Sequence, residues 1–443
     1  MLNVPFFGFE RKGNEIQMVI HIKKKSIRSI YLTVFLFILF FSPPIIQYPH
    51  LVLAMFSLVM VGIQYKDKYN EILKKSCMLK WLLGMLVFFT VAATTTFINI
   101  AFFDDVVQLG HYRSLYNRFL VLIMTIVPCC IYLCAYLERY QYSWEEFIRH
   151  VINAALIETI LTFSSFFSPS IKNIFLSLMK YSSDNTLYNN TWYITIRSYG
   201  LAGTLVDLFG WGMGIIAGVS FFYGVIKHKR YIVYSVGIAF AGTVNARTAL
   251  LMYALGIVLT LLYVIIHGRT KLQLELVVVT FSIVMVLMKL FPIIVEKNPQ
   301  TFAWISSGVE SLFQAMSGEN DTGGFAGALF RDEWWQLPDS IQFFIGTGHS
   351  RYAVEGYTHT DFGYVNDMWF VGLIGVIILY MNIGMVFYKF FKNSKNDFGK
   401  FIAVYFGVSI LGFNVKGCAF GYNIGMAVIA TVLFVSCYIL EKK

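Results

Sequence analysis

The stretch Thr358–Leu379, THTDFGYVNDMWFVGLIGVIIL, changes character halfway along. Its first half sets His359, Asp361, Asn366 and Asp367 in quick succession, and its second half, around Gly372 and Gly375, is apolar enough to begin a membrane helix. Asp361 and His359 could do chemistry at that boundary, bind a travelling ion, or merely mark where the chain enters lipid. The rest of the chain says which phase they border. Of 443 residues, 57% are hydrophobic and 14% charged, with a mean hydropathy of +0.64, far outside the range of soluble domains. The 42 Phe and 27 Tyr fit a protein whose aromatic rings also populate a lipid interface. A net charge of +10 could indicate nucleic acid, but the basic residues lie in short clusters between apolar runs rather than on one polar face, which argues against a nucleic-acid partner. Cys129, Cys130, Cys134 and Cys437 lie inside apolar runs, Cys77 in a basic loop and Cys418 in a short turn, a spacing that specifies neither a disulfide framework nor a zinc site. The first long apolar run begins near Ile30, continues past Leu39 and lacks a small-residue cleavage site, so it is expected to stay as the first span.

A bilayer core takes roughly 20 apolar residues per helix, and counting such runs gives about twelve candidates. They lie at 29–47, 49–64, 80–102, 117–137, 151–168, 200–226, 231–245, 248–267, 272–294, 365–390, 399–415 and 423–440, of which 49–64 and 231–245 are short. An even number places both termini on one side. With that side cytoplasmic, HIKKKSIR, QYKDKYNEILKK, KHKR, HGRTK, KFFKNSKNDFGK and the terminal EKK all fall inside, so most of the 35 Lys and Arg obey the positive-inside rule. The expected fold is an all-α polytopic membrane protein of one integral domain, 1–443, with a first external loop at 169–199 and a large one at 295–364. Loops of that length are uncommon unless they are functional or disordered. The second contains TFAWISSGVESLFQAM, whose spacing predicts a short amphipathic helix lying on the membrane. No internal repeat of motif or helix pattern is evident, which weighs against transporters built from duplicated halves.

Three constellations could carry chemistry. In GTVNARTALLMYALGIVLTLLY, Gly242–Tyr263, a short turn puts Arg247 beside a helix N-terminus, where free N–H groups already favour an anion and a guanidinium can grip phosphate oxygens in pairs. The plainer alternative is an interfacial Arg that snorkels to lipid headgroups. In WYITIRSYGLAGTLVDLFGWGMG, Trp192–Gly214, Arg197 and Tyr199 stand outside a helix that carries Asp207 about two turns in. An acid at that depth needs a cavity or a structural partner, and Glu158 and Lys289 raise the same question. In the third, Arg331, Trp334, Trp335, His349, Arg351, His359, Asp361 and Tyr364 gather before one helix, with Trp369 near its start. Flat rings beside acids and arginines suit sugar faces and hydroxyls, whereas each ring taken singly could belong to an ordinary aromatic belt.

Arg331 followed by Trp334, then IGTGHS at Ile345–Ser350 and DFGYVNDMWFVGLIG at Asp361–Gly375, resembles the second-half signature of Wzy-type O-antigen and capsular polysaccharide polymerases. NARTALL, Asn245–Leu251, is similar to the small-residue-Arg-Thr turn of those proteins, and RSYGLAGTLVDLFG, Arg197–Gly210, to their Arg-x-x-Gly segment. The resemblance covers roughly residues 197–380. Related O-antigen ligases carry a His ahead of a Gly-x-x-Gly helix entrance. Here Asp361, followed by Phe362, stands at that position, with His359 two residues away, a departure that favours polymerase over ligase.

The resemblance implies a GT-C-like enzyme of the bacterial inner membrane with its active site facing the periplasm. Its donor and acceptor would both be undecaprenyl-diphosphate-linked oligosaccharides, and its partners membrane lipid and, as a candidate, a chain-length regulator protein. Such a glycosyltransferase needs a base for the acceptor hydroxyl and cations for the departing diphosphate. The implied assignments are Asp361 or His359 as base, Arg197 and Arg247 on the diphosphate, Arg331 and Arg351 as further anion contacts, and Asp207, Tyr199 and Trp334 around the substrate. No cofactor is implied, and no Asp-x-Asp or His-x-x-x-His occurs in the expected external loops, so metal independence is expected. The competing expectations are an O-antigen ligase and, from another class, a flippase or ion-coupled transporter using Asp207, Glu158 and Arg247 as its path.

Overall fold

In the computed structural model, residues 6–12, 15–21, 24–103, 109–179, 195–198, 200–203, 206–268, 292, 295–296, 298–317, 331–351 and 360–442 are described. An antiparallel hairpin of β1 (Phe6–Lys12) and β2 (Glu15–His21) leads into α1 (Lys24–Phe41). The hairpin lies outside every apolar run, and a search for spans does not anticipate it. There follow α2 (Pro49–Gln64), α3 (Tyr69–Lys75), α4 (Met78–Phe102), α5 (Leu109–Arg139), α6 (Trp144–Phe167) and α7 (Pro169–Leu178). The second half comprises α8 (Val206–Ile226), α9 (Arg230–Thr243), α10 (Thr248–Ile266), α11 (Pro299–Met316), the single turn Gln342–Ile345, α12 (Gly363–Asn393), α13 (Asp397–Lys416) and α14 (Ile424–Glu441).

Helices dominate because in hydrocarbon every backbone N–H and C=O must find its partner within the chain. Among the described residues, 8 helices are long and apolar enough to cross a membrane, and α2 with Lys66–Lys75, bent by 98°, makes up to 9. The remaining expected spans differ for local reasons. The 18 residues of α1 open on Lys24, Lys25 and Arg28, α9 has only 14, and 272–294 lies outside the described residues. At the centre, α8 is almost entirely buried and passes close to α10. Glycines make that approach possible: a Cβ at Gly218 would strike the Tyr405 ring, and one at Gly256 would strike Gly218. The Tyr405 hydroxyl lies 3.0 Å from the Gly214 carbonyl and 2.8 Å from that of Met252, tying α13 to both helices.

The bundle has two chemically distinct ends. The terminal end holds the start of α1 and the end of α14, and it joins Lys25 to Glu146, Lys227 to Glu145 and Lys442 to Glu138. The loop end holds the starts of α8, α10 and α12, the finish of α13, and α11.

The opening stretch is a broken helix. Gly372 adopts φ 61 and ψ −175 inside α12, so the carbonyls of Trp369 and Phe370 lose their helical donors. The segment Ile345–Ser350 replaces them: Thr347 N–H donates to Trp369 O at 2.6 Å, its hydroxyl to the same oxygen at 2.7 Å, and Gly348 N–H to Phe370 O at 3.0 Å. Gly346 and Gly372, both at positive φ, lie so close that a side chain on either would collide with the other's backbone. From α4, Thr95 donates to Ile345 O at 2.6 Å and Asn99 to Gly346 O at 2.9 Å. The two motifs IGTGHS and GLIG are therefore one structural device, a strap that satisfies a break in a buried helix.

Candidate functional site

At the loop end the segment Thr195–Ser198 runs against the turn between α9 and α10. Ser198 N–H donates to Val244 O at 3.2 Å and Arg197 Nη1 to Asn245 O at 2.8 Å. The buried Asn245 side chain accepts from Val206 N–H at 3.1 Å and donates to Ser198 O at 3.4 Å. Asn245 thus fixes the two segments together, and it holds Val206, a β-branched residue at φ 60, in a conformation that costs about 1–3 kcal/mol. The consequence is convergence of two arginines distant in sequence. Arg197 Cζ lies 4.7 Å and Arg247 Cζ 4.8 Å from the centroid of the same ring, Trp304 of α11. One turn further along α11, Gly308 faces the Arg247 guanidinium, leaving no room for a side chain.

Among the described residues no carboxylate forms an ion pair with Arg247. Burial and then the neighbouring Arg197 hold its guanidinium below the usual range, with Asp207 opposing them. A lowered value for a base means that the surroundings disfavour the cation. An anion placed against the pair would reverse that, and a guanidinium fork suits phosphate oxygens.

Next to the arginines stands a second charged group. Asp207 is expected about two turns inside a helix beginning at 200, but α8 begins at Val206 and Asp207 is its second residue. Residues 200–203 are not helical, and there Leu201 N–H reaches the Glu158 carboxylate at 3.2 Å and Gly203 N–H reaches Phe41 O at 2.6 Å. Asp207 therefore sits in the first turn of α8, where the helix dipole favours a carboxylate, and Glu158 is accounted for as a tether of backbone N–H groups. Lys416, the last residue of α13, lies 3.3 Å from Asp207 Oδ2 and 3.6 Å from Asp361 Oδ2. One ammonium thus links the two predicted acids.

Beneath them is a buried ion pair. Arg118 Nη2 donates to Asp367 Oδ1 at 3.0 Å, and Asn414 Nδ2 to Asp367 Oδ2 at 3.1 Å and to the Tyr380 hydroxyl at 2.9 Å. Asn414 Oδ1 accepts from Ala419 N–H at 2.9 Å, and a Cβ at Gly363 would overlap it. This network locks the start of α12 to the end of α13, the two places that present Asp361 and Lys416.

Other predicted residues lie apart from the arginine pair. Arg351 is fully buried and donates to Trp334 O at 3.1 Å, to Glu333 O and to Gln336 Oε1 at 2.9 Å, so it pins the 331–336 turn. Arg331 is exposed at the start of that turn. Trp334 packs on Phe362 with ring centroids 5.7 Å apart, and Trp369 Nε1 donates to Gln336 O at 3.1 Å. His349 is buried beside Trp369, and the Tyr364 hydroxyl donates to Leu411 O at 2.9 Å. Tyr199, His359 and Lys289 lie outside the described residues. Among the described residues no three His, Cys, Asp or Glu side chains gather closely enough to hold a metal ion.

Sequence reasoning missed Trp304, Lys416, Asn245 and Arg118. Lys416 carried a usable signal, a cation just past the run 399–415 on the same expected side as Asp361. Trp304 had none beyond its place in an amphipathic pattern. In comparison with known proteins, no protein-family model and no curated protein sequence matches the chain.

Proposed function

We propose that this protein polymerises undecaprenyl-diphosphate-linked oligosaccharide repeats at the outer face of a bacterial inner membrane, with the loop end periplasmic and both termini cytoplasmic. The supporting observation is the meeting of Arg197 and Arg247 on Trp304, where the half-buried Arg247 beside a second cation would be stabilised by an anion. The sequence resemblance names a GT-C-like architecture of about twelve spans, and the eight or nine long apolar helices among the described residues are compatible with it.

In the proposed reaction the acceptor sugar hydroxyl attacks the anomeric carbon of the growing glycan. The new C–O bond forms as the bond to the diphosphate breaks, and undecaprenyl diphosphate leaves with that electron pair. The hydroxyl proton passes to Asp361. Arg197 and Arg247 stabilise the charge that develops on the departing diphosphate, the role in which fixed cations lower a barrier most. Arg351, which donates to the Trp334 carbonyl and to Gln336, holds the aromatic turn in this reading.

Losing one such transition-state contact costs on the order of 100-fold in rate. Arg247→Ala is expected to abolish long chains while the protein remains inserted, and Lys at 247 is expected to rescue poorly because an ammonium lacks the planar fork. Normal chain lengths from Arg247→Ala would refute the assignment. The glycan profile of a deletion separates the neighbouring functions: single capped repeats for a polymerase, long polymer stranded on lipid carrier for a ligase, and lipid-linked repeats held on the cytoplasmic leaflet for a flippase. Polymerisation by the purified protein is expected to persist in EDTA, and loss restored by Mg²⁺ or Mn²⁺ would contradict metal independence.

A further inference from the structure

Lys416 belongs to none of the motifs, yet it touches both acids of the site. Its position follows from the helix that carries it. As the final residue of α13 it extends past the apolar run, and the negative end of the helix dipole favours a cation there. From that point Nζ reaches Asp207 at the start of α8 and Asp361 just ahead of α12. The side chain of Lys416 is 21% exposed, that of Asp207 34% and that of Asp361 58%. Pairs this open to solvent add little to stability, so the arrangement calls for a different explanation.

The network below supplies one. Asn414, on the same helix as Lys416, is fixed by Asp367 and by Ala419 N–H, while Gly363 lets α12 close onto it. The backbone positions that carry Lys416 and Asp361 are thereby set from beneath, and the ammonium can select where the Asp361 carboxylate points. Asp207 provides what a lone Lys–Asp pair lacks. When Asp361 takes the proton of an acceptor hydroxyl its charge disappears, and Lys416 still has a carboxylate partner in Asp207.

We propose that Lys416 is a positioning residue that aims the Asp361 carboxylate, with Asp207 as the fixed counter-charge that keeps the ammonium in place through the change in protonation. This rests on the polymerase assignment above, in which Asp361 is the base.

The test uses purified full-length protein in liposomes, supplied with the lipid-linked repeat extracted from cells lacking it. Lys416→Met is expected to lower kcat about 100-fold, the cost of misplacing a reacting group by about 1 Å, with the KM for the lipid-linked repeat unchanged. Lys416→Arg restores most of the rate, because a cation of similar reach still spans the two carboxylates. A wild-type kcat in Lys416→Met overturns the proposal. So does a raised KM at unchanged kcat, which would make Lys416 a substrate contact. Should Lys416→Met fail to insert, Lys416→Gln is read against the same outcomes. Arg247→Ala in the same assay keeps the two questions apart. Wild-type activity there removes the polymerase site itself, whereas loss there beside a wild-type Lys416→Met removes only the role of Lys416.

Discussion

The two ends of the helix bundle place their lysines and arginines differently. At the terminal end each bridging lysine has a carboxylate: Lys25–Glu146 at 3.4 Å, Lys227–Glu145 at 3.0 Å, Lys389–Glu441 at 2.5 Å, and Lys442 with Glu71 at 3.4 Å and Glu138 at 2.8 Å. At the loop end Arg197 and Arg247 both lie against one tryptophan ring, and a single lysine is divided between two aspartates. In α7, at the same end, burial also draws the Lys172 ammonium down to about 8. Exposed Lys–Glu pairs are neutral, wet and nearly free of energetic consequence. Arg247, half-buried beside a second cation and with no carboxylate ion pair among the described residues, is costly to keep charged, and an anionic ligand would relieve that cost. A pair of arginines brought together on one ring is what the proposed anion site at the loop end requires.

Three substitutions probe this contrast in order of expected effect. Arg118→Ala strands Asp367 without its cation in a buried site and is expected to destabilise the protein by about 3–5 kcal/mol. Thermal unfolding in detergent measures it, and a change under about 1 kcal/mol would show the pair to be no more than a surface bridge. Gly308→Leu drives a side chain into the Arg247 guanidinium and is expected to cut polymer formation about tenfold to 100-fold, with little change in melting temperature. Wild-type chain lengths from that variant would mean that α11 does not cover Arg247 in the working protein. Lys227→Ala, at the terminal end, removes one exposed bridge and is expected to cost less than about 1 kcal/mol and leave glycan length unchanged. A severe defect there would erase the distinction between the ends.

Much of this was legible in the sequence because hydropathy and helix ends obey local rules. Runs near 80–102, 151–168, 248–267 and 423–440 correspond to α4, α6, α10 and α14, and Ser143 with Glu146 closes a capping box at the start of α6. What failed depended on distant partners. The run from 200 was read as helix, yet residues 200–203 follow a non-helical path tied to Glu158 of α6 and Phe41 of α1, and α8 begins at Val206. Gly372 reads as part of the start of an unbroken membrane helix, and its backbone break becomes intelligible only once the strap from Ile345 supplies donors.

The site divides in the same way. Arg247 could be picked out because a turn between two spans leaves few places for a guanidinium, and Arg197 because it precedes a helix. That both reach Trp304, some 60 to 110 residues away in sequence, is a tertiary fact that no local pattern encodes. Arg351 shows what sequence leaves open. An arginine among aromatics is equally suited to holding carbonyl groups, and only its three acceptors on the 333–336 turn distinguish the two roles.

The central claim is that Arg197 and Arg247 together form an anion site at the loop end. The most direct measurement is titration of the full-length protein in nanodiscs with undecaprenyl diphosphate, comparing wild type, Arg247→Ala and Lys227→Ala. Saturable binding that weakens with salt in wild type and Lys227→Ala and is lost in Arg247→Ala is the predicted result. Equal binding by wild type and Arg247→Ala would contradict it.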